Sequence, residues 1–123
     1  MIELLLRTHL AERIAIRALA PDERLHAPHL IDIEITQALR RLVMLRDITA
    51  LRARQALDDL AEFVIERSEH QNLLSRVWEL RDSVTAYDGI YVALAEALDA
   101  PLLTCDSKLG RSHGHTAKIE VVA

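Results

Sequence analysis

Three acids in this chain, Asp88, Glu34 and Asp106, have the types and places that suggest chemistry. Asp88 stands near the start of Thr85-Ala86-Tyr87-Asp88-Gly89-Ile90-Tyr91-Val92-Ala93-Leu94-Ala95-Glu96-Ala97-Leu98, the most apolar stretch of the chain. Read as a helix, this stretch is apolar nearly all round, with Glu96 the one strongly polar side chain beyond the first turn. It is therefore expected to be buried. Thr85 and Asp88 are three apart, a capping box with Asp in place of the usual Glu, so the carboxylate meets the positive end of the helix dipole. An ionised acid beside a core is a good place to hold a cation, although capping alone also explains an acid there. Glu34 falls inside the apolar stripe Ile31, Ile35, Ala38, Leu42 and is costly there unless paired, with Arg40 or Arg41 the simplest partner. Asp106 directly follows an apolar run and could merely cap a turn at Ser107. Carboxylates gathered together repel one another and are stable only around a hard divalent cation such as Mg2+ or Mn2+. A cation so held can orient a phosphodiester and acidify an attacking water, which is the logic of a metal-dependent nuclease. Spacing alone does not single out that activity.

The elements that must position these acids alternate between helix and strand. Leu4 to Ala20 reads as an amphipathic helix, with Leu6, Leu10, Ile14 and Ala18 on one face, and Pro21-Asp22 breaks it. Arg24 to Ala27 is a short strand, and Pro28 suits the first turn of a helix that runs to about Leu45. A third helix covers Thr49 to Glu62, with Thr49 as N-cap. Phe63-Val64-Ile65 reads as a strand, and Glu69 to Arg81 as a fourth helix. After the apolar helix come a buried strand Pro101 to Cys105, one turn at Ser107 to Gly110, and a last strand Lys118 to Val122. Such alternation predicts an α/β domain with a parallel sheet flanked by helices. Ligand sites in that architecture lie beyond the carboxyl ends of the strands, where Glu34, Asp88 and Asp106 would converge.

Composition narrows the partners. The chain has 123 residues, enough for one domain with a core that needs no disulfide or metal support. Hydrophobic residues make up half of it and aromatics only 3 %, so Leu, Ile, Val and Ala must build that core. No apolar run is long enough to span a membrane, and the start, with Glu3 ahead of its apolar run, lacks the pattern of a signal peptide. A lone Cys105 cannot form an internal disulfide and fits a reducing cytoplasm. The net charge of −4 offers no general attraction to nucleic acid, so RNA binding would rest on local basic patches or metal ions.

Over nearly its whole length the chain resembles the PIN-domain family, specifically the VapC-type toxins of bacterial toxin–antitoxin pairs. Three motifs carry the resemblance: His29-Leu30-Ile31-Asp32-Ile33-Glu34-Ile35 leading into Ala38-Leu39-Arg40, then Thr85 to Ala95, then Leu103-Thr104-Cys105-Asp106-Ser107-Lys108-Leu109. The middle one is the most specific. The resemblance implies a PIN-like three-layer α/β domain over residues 1–123, with Glu34, Asp88 and Asp106 binding Mg2+ or Mn2+ for RNA hydrolysis. Thr104 matches a polar position that supports such a site. It further implies a structured RNA substrate such as tRNA or ribosomal RNA, a VapB-type antitoxin partner and a homodimer.

One departure is large. Family members begin with a short, central apolar strand ending in Asp-Ala-Ser, whose Asp is a principal metal ligand. Here Glu3-Leu4-Leu5-Leu6-Arg7 reads as the helix that should follow, so the central strand is expected to be missing. Neither Glu3 nor Glu12 is a convincing substitute. Either the start lies upstream or the copy is degenerate, and a sheet without its central strand would fold poorly or cleave weakly. The alternative of a catalytically inactive module that still binds antitoxin or RNA therefore stands beside the nuclease reading. The remaining features carry less. His113 and His115 lack a third partner for a zinc site, Cys105 reads as core, and Asp32 points away from Glu34 and reads as solvated. Lys108 and Arg111 could contact phosphates, and the Arg52 to Leu57 helix an antitoxin or a second subunit.

Overall fold

The computed structural model describes residues 2–7, 23–62, 64–104 and 106–121. The described residues form strands β1 (Ile2–Arg7), β2 (Glu23–Pro28), β3 (Glu66–Ser68), β4 (Leu102–Thr104) and β5 (Ile119–Val121). The helices are α1 (Leu30–Met44), α2 (Ala50–Glu62), α3 (Leu74–Glu79), α4 (Ala86–Leu98) and α5 (Ser107–Gly110), with a 3-10 turn at Gln71–Leu73. The five strands lie in the order β3-β2-β1-β4-β5 and every pairing is parallel.

The centre of the sheet corrects the expectation that its first strand is missing. Ile2–Arg7 is that strand, with Leu4 in register with Leu25 on one side and Leu6 with Leu103 on the other. The local pattern of this segment fits a helix, but a gap between β2 and β4 would leave a row of N–H and C=O groups on each of them without partners. Pairing on both edges satisfies those groups, and tertiary context outweighs propensity. Parallel strands also read as continuous apolar runs and not as alternating ones, and Leu4-Leu5-Leu6 is such a run. The rest of the expected first helix, residues 8–20, lies outside the described residues.

Two smaller boundaries also move. The strand expected at Phe63 to Ile65 begins later, at Glu66. Val64 is exposed while Ile65 is buried, and β3 pairs with β2 through Glu66, Arg67 and Ser68, all three polar. The single helix expected over Glu69 to Arg81 is a 3-10 turn followed by the short α3.

The core sits around α4. Gly89 to Ala95 are all buried, and the helix packs against β1, β2 and β4 as well as α3. Leu102, Leu103 and Thr104 of β4 are buried beneath it. Gly89 permits the close approach of α3, because a Cβ there would lie 3.2 Å from Val77 Cγ1. The helix opens as its sequence predicts: Thr85 adopts extended backbone and its Oγ1 accepts from the backbone N–H of Asp88 at 3.1 Å. Thr85→Ala is expected to lower stability by about 1 kcal/mol. The check is a lower urea midpoint at an unchanged slope. Among the described residues no helix is long and apolar enough to cross a membrane.

Candidate active site

All three acids belong to one edge of the sheet. Helix α1 leaves the carboxyl end of β2 after Pro28-His29 and carries Glu34 in its second turn. Helix α4 feeds β4 through a short connection, so it runs back across the sheet and its first turn, with Asp88, returns to that same edge. Asp106 follows β4 directly. This is the edge at which parallel sheets collect their ligands.

Each acid is held differently. Glu34 is half-buried, and its Oε1 accepts a hydrogen bond of 2.5 Å from the hydroxyl of Tyr91. The rest of Tyr91 is wholly buried in the core. That hydroxyl, and neither Arg40 nor Arg41, is the partner the structure shows for the acid on the apolar stripe. Asp88 lies three residues before Tyr91 on α4, hence on the same helix face, and its Oδ1 is buried. Tyr91 therefore ties Glu34 to the helix face that carries Asp88. Asp106 caps α5, its Oδ1 accepting from the backbone N–H of Lys108 at 2.9 Å. Its own N–H donates to Oγ1 of Thr104, a residue only 1 % exposed, at 3.1 Å. The hydroxyl of Thr104 thus sets the backbone from which Asp106 projects.

Two features of this edge depart from what the sequence leads one to expect. Asp32 is not solvated: it is half-buried and receives two hydrogen bonds of 2.7 Å, from Nε and Nη2 of Arg67. This fork-to-fork pair raises the Arg67 pKa and clamps the start of α1 to β3. No spacing signal links residues 35 apart, so sequence reasoning could not find it. The second is the end of β1, where Arg7 stands in register with Thr104. Within β1 the one acid is Glu3, near the start of the strand and not at its carboxyl end.

Among the described residues no group of three or more His, Cys, Asp and Glu stands close enough together to hold a metal ion. The acids share an edge without closing into a cage. Mg2+ does not require one: it keeps several waters and is commonly bound through one or two carboxylates plus substrate phosphates. Hard oxygen donors linked through Tyr91, with a third acid on the same edge, fit such an open site and do not fit a closed one.

The PIN-domain family model matches residues 1–113. The chain belongs to the PIN-domain family. Ribonuclease VapC1 of Mycobacterium tuberculosis (strain H37Rv) is 44% identical over 113 residues, 91% of this chain and 85% of that protein. Ribonuclease VapC9 of the same strain is 42% identical over 106 residues, covering 86% of this chain and 84% of its own length. Ribonuclease VapC12 is 37% identical over 122 residues, 99% of this chain and 93% of the relative. The parallel α/β architecture is the one the family implies, with β1 in the central place.

Proposed function

We propose that this PIN-domain protein is an endoribonuclease, the toxin of a VapBC-type pair, and that it cuts structured RNA such as tRNA or ribosomal RNA with Mg2+ or Mn2+. The observation that carries the reading is the Tyr91–Glu34 hydrogen bond, which links one acid to the helix face bearing another at the ligand-binding edge. Near-full-length similarity to three proteins named as VapC ribonucleases supports it. Glu34 and Asp88 would hold the cation, with Asp106 on the same edge of the sheet. When bound, such a cation polarises a phosphoryl oxygen and acidifies a water. The chain's own part is positional. Tyr91 fixes Glu34, the Thr85 cap fixes Asp88, and Thr104 with the Lys108 N–H fixes Asp106. Lys108 and Arg111, exposed just beyond Asp106, are placed to meet phosphates. A VapB-type antitoxin, a homodimer and a cytoplasmic location complete the proposal.

A second reading, an inactive module that binds antitoxin or RNA, is favoured by Arg7 at the end of β1 and by the open arrangement of the acids. The earlier expectation of poor folding rested on a gap in the sheet, and β1 fills that place. The test is cleavage of total cellular RNA by the full chain with Mg2+, with Mn2+ and with a chelator. Cutting that stops on chelation and returns with either metal supports the nuclease. RNA retained but never cut, under conditions where a related toxin cuts, transfers the conclusion to the binding module.

A further inference from the structure

The α1–α2 hairpin tip, residues 40–54, carries Arg40, Arg41, Arg46, Arg52 and Arg54 against a single acid, Asp47, a local charge of +4 in a chain of net charge −4. All five arginines are exposed. They lie within about 8 Å of the turn along either helix axis, at 1.5 Å per residue. Arg40 and Arg41 suit the negative end of the α1 dipole. Arg52 and Arg54 do not suit α2, which opens on them with no acid in its first turn. Arg54 pairs with Asp58 at 3.2 Å with both side chains largely exposed, a contact that salt screens readily. Like charges gathered against a helix dipole destabilise the free protein slightly, and a polyanion seated on the tip relieves that cost.

We propose that this tip is a second RNA-contact surface, which grips the phosphate backbone of a folded RNA away from the cutting edge. The proposal rests on the nuclease reading above. Arg40 lies about 9 Å and the turn at Leu45 about 16 Å along α1 from Glu34, at 1.5 Å per residue, so the tip extends toward the opposite end of the sheet. A short oligonucleotide at the acids does not reach the turn or the start of α2, whereas a folded RNA does. In an acidic protein the electrostatic part of RNA binding must come from a local basic surface, and phosphate contacts position a nucleic acid without reading its sequence. Exposed Met44, Leu45 and Leu51 lie among the arginines and give the patch a partly apolar floor. The ratio of five arginines to one acid, spread over both helices, matches a phosphate backbone better than an apolar protein face.

The experiment compares two charge-removal variants of the full chain, Arg40→Gln/Arg41→Gln/Arg46→Gln and Arg52→Gln/Arg54→Gln. Each is made with and without Asp88→Asn, and each is checked for an unchanged thermal melt. In the Asp88→Asn background, binding to bulk tRNA is followed across a salt series. The triple variant is expected to reduce the slope of log affinity against log salt by about 2–3, one contact per arginine removed, and the double variant by about 1–2. With Asp88 intact, both are expected to cut a short single-stranded RNA at the parent rate while KM for a folded RNA rises roughly tenfold or more. Unchanged slopes and unchanged KM overturn the proposal. So does unaltered RNA binding combined with lost binding of an acidic helical peptide, which would make the tip a protein-docking surface. Failure of the nuclease reading is distinguishable: the parent chain then cuts neither RNA, while the tRNA slopes remain measurable by binding alone.

Discussion

Asp88→Asn will lower RNA cutting by roughly 10²–10³-fold, the usual loss when one preorganised charge-stabilising group is removed, here a carboxylate proposed to hold the cation, while the protein stays folded. Asn keeps the shape of Asp, and the capping bond to Thr85 Oγ1 comes from the backbone N–H of residue 88, which the substitution leaves in place. What is lost is one negative charge at the positive end of α4, worth about 0.3–1 kcal/mol. Activity should therefore collapse with a melting temperature only slightly lower. The check pairs a cleavage time course in Mg2+ with a thermal melt of the same preparation. A variant that cuts at the parent rate removes Asp88 from the chemistry. A variant that has lost its cooperative melt says instead that the acid is chiefly structural.

Much of this site was legible in the sequence because two of its signals are local. The Thr85–Asp88 spacing is a rule about one helical turn, and the cap forms as that rule requires. Asp106 followed an apolar run and caps the next turn, again a neighbour effect. Glu34 was legible as an acid in the wrong place, on an apolar stripe, but its partner was not. Tyr91 lies 57 residues away, and an arginine of the same helix was the nearest donor that spacing could offer. The Asp32–Arg67 pair was hidden for the same reason. Sequence periodicity reports which face a residue occupies, and only the packing of α1 against β3 and α4 decides what waits there.

The fold shows the same division. The buried helix α4 and the strand before Asp106 were plain, since an all-round apolar helix and a short apolar run have few alternatives. Ile2–Arg7 was read as helix because its leucines continue a four-residue spacing into Leu10 and Ile14. A central parallel strand carries no alternation to betray it, so the period-two signal that marks half-exposed strands is absent. What decides its state is the unpaired backbone of β2 and β4, a property of two other segments. β3 was misplaced by a few residues because its β-branched neighbours Val64 and Ile65 outscore Glu66-Arg67-Ser68 in propensity. Those three residues nonetheless stand opposite His26, Ala27 and Pro28.

Arg76→Ala, on α3 against the other end of α4, is expected to do the reverse of Asp88→Asn: unfold the protein more easily and spare its chemistry. Nε and Nη2 of Arg76 donate to the two oxygens of Glu96 at 2.8 and 2.9 Å, and Nη2 also reaches the carbonyl of Gly114 at 3.1 Å. Glu96 in turn accepts from the N–H and hydroxyl of Thr116, so the pair pins the segment after α5 to the body of the protein. The Glu96 side chain is only 13% exposed. Stripping its guanidinium leaves a buried carboxylate with Thr116 alone, at a cost of about 2–3 kcal/mol, below the full value for a buried pair because Arg76 is partly in water. Amide exchange at Gly114 to Thr116 should rise with it. The same contacts, Arg76 foremost, hold the Glu96 pKa down to about 2 from 4.5. A folded-state pKa below the unfolded one stabilises the protein above the unfolded value, and the benefit fades as pH falls toward the folded one. Stability should thus drop by on the order of 2 kcal/mol through this residue between about pH 5 and pH 2. Glu96→Gln should start lower at neutral pH and show a flatter acid limb. Glu96 lies eight residues beyond Asp88, about 12 Å along the helix, so neither variant touches the acidic edge and both should cut RNA at the parent rate in the cold. Equal losses of activity and stability in Arg76→Ala would mean that the two ends of α4 are coupled, and that the acids depend on the pinned segment for their positions.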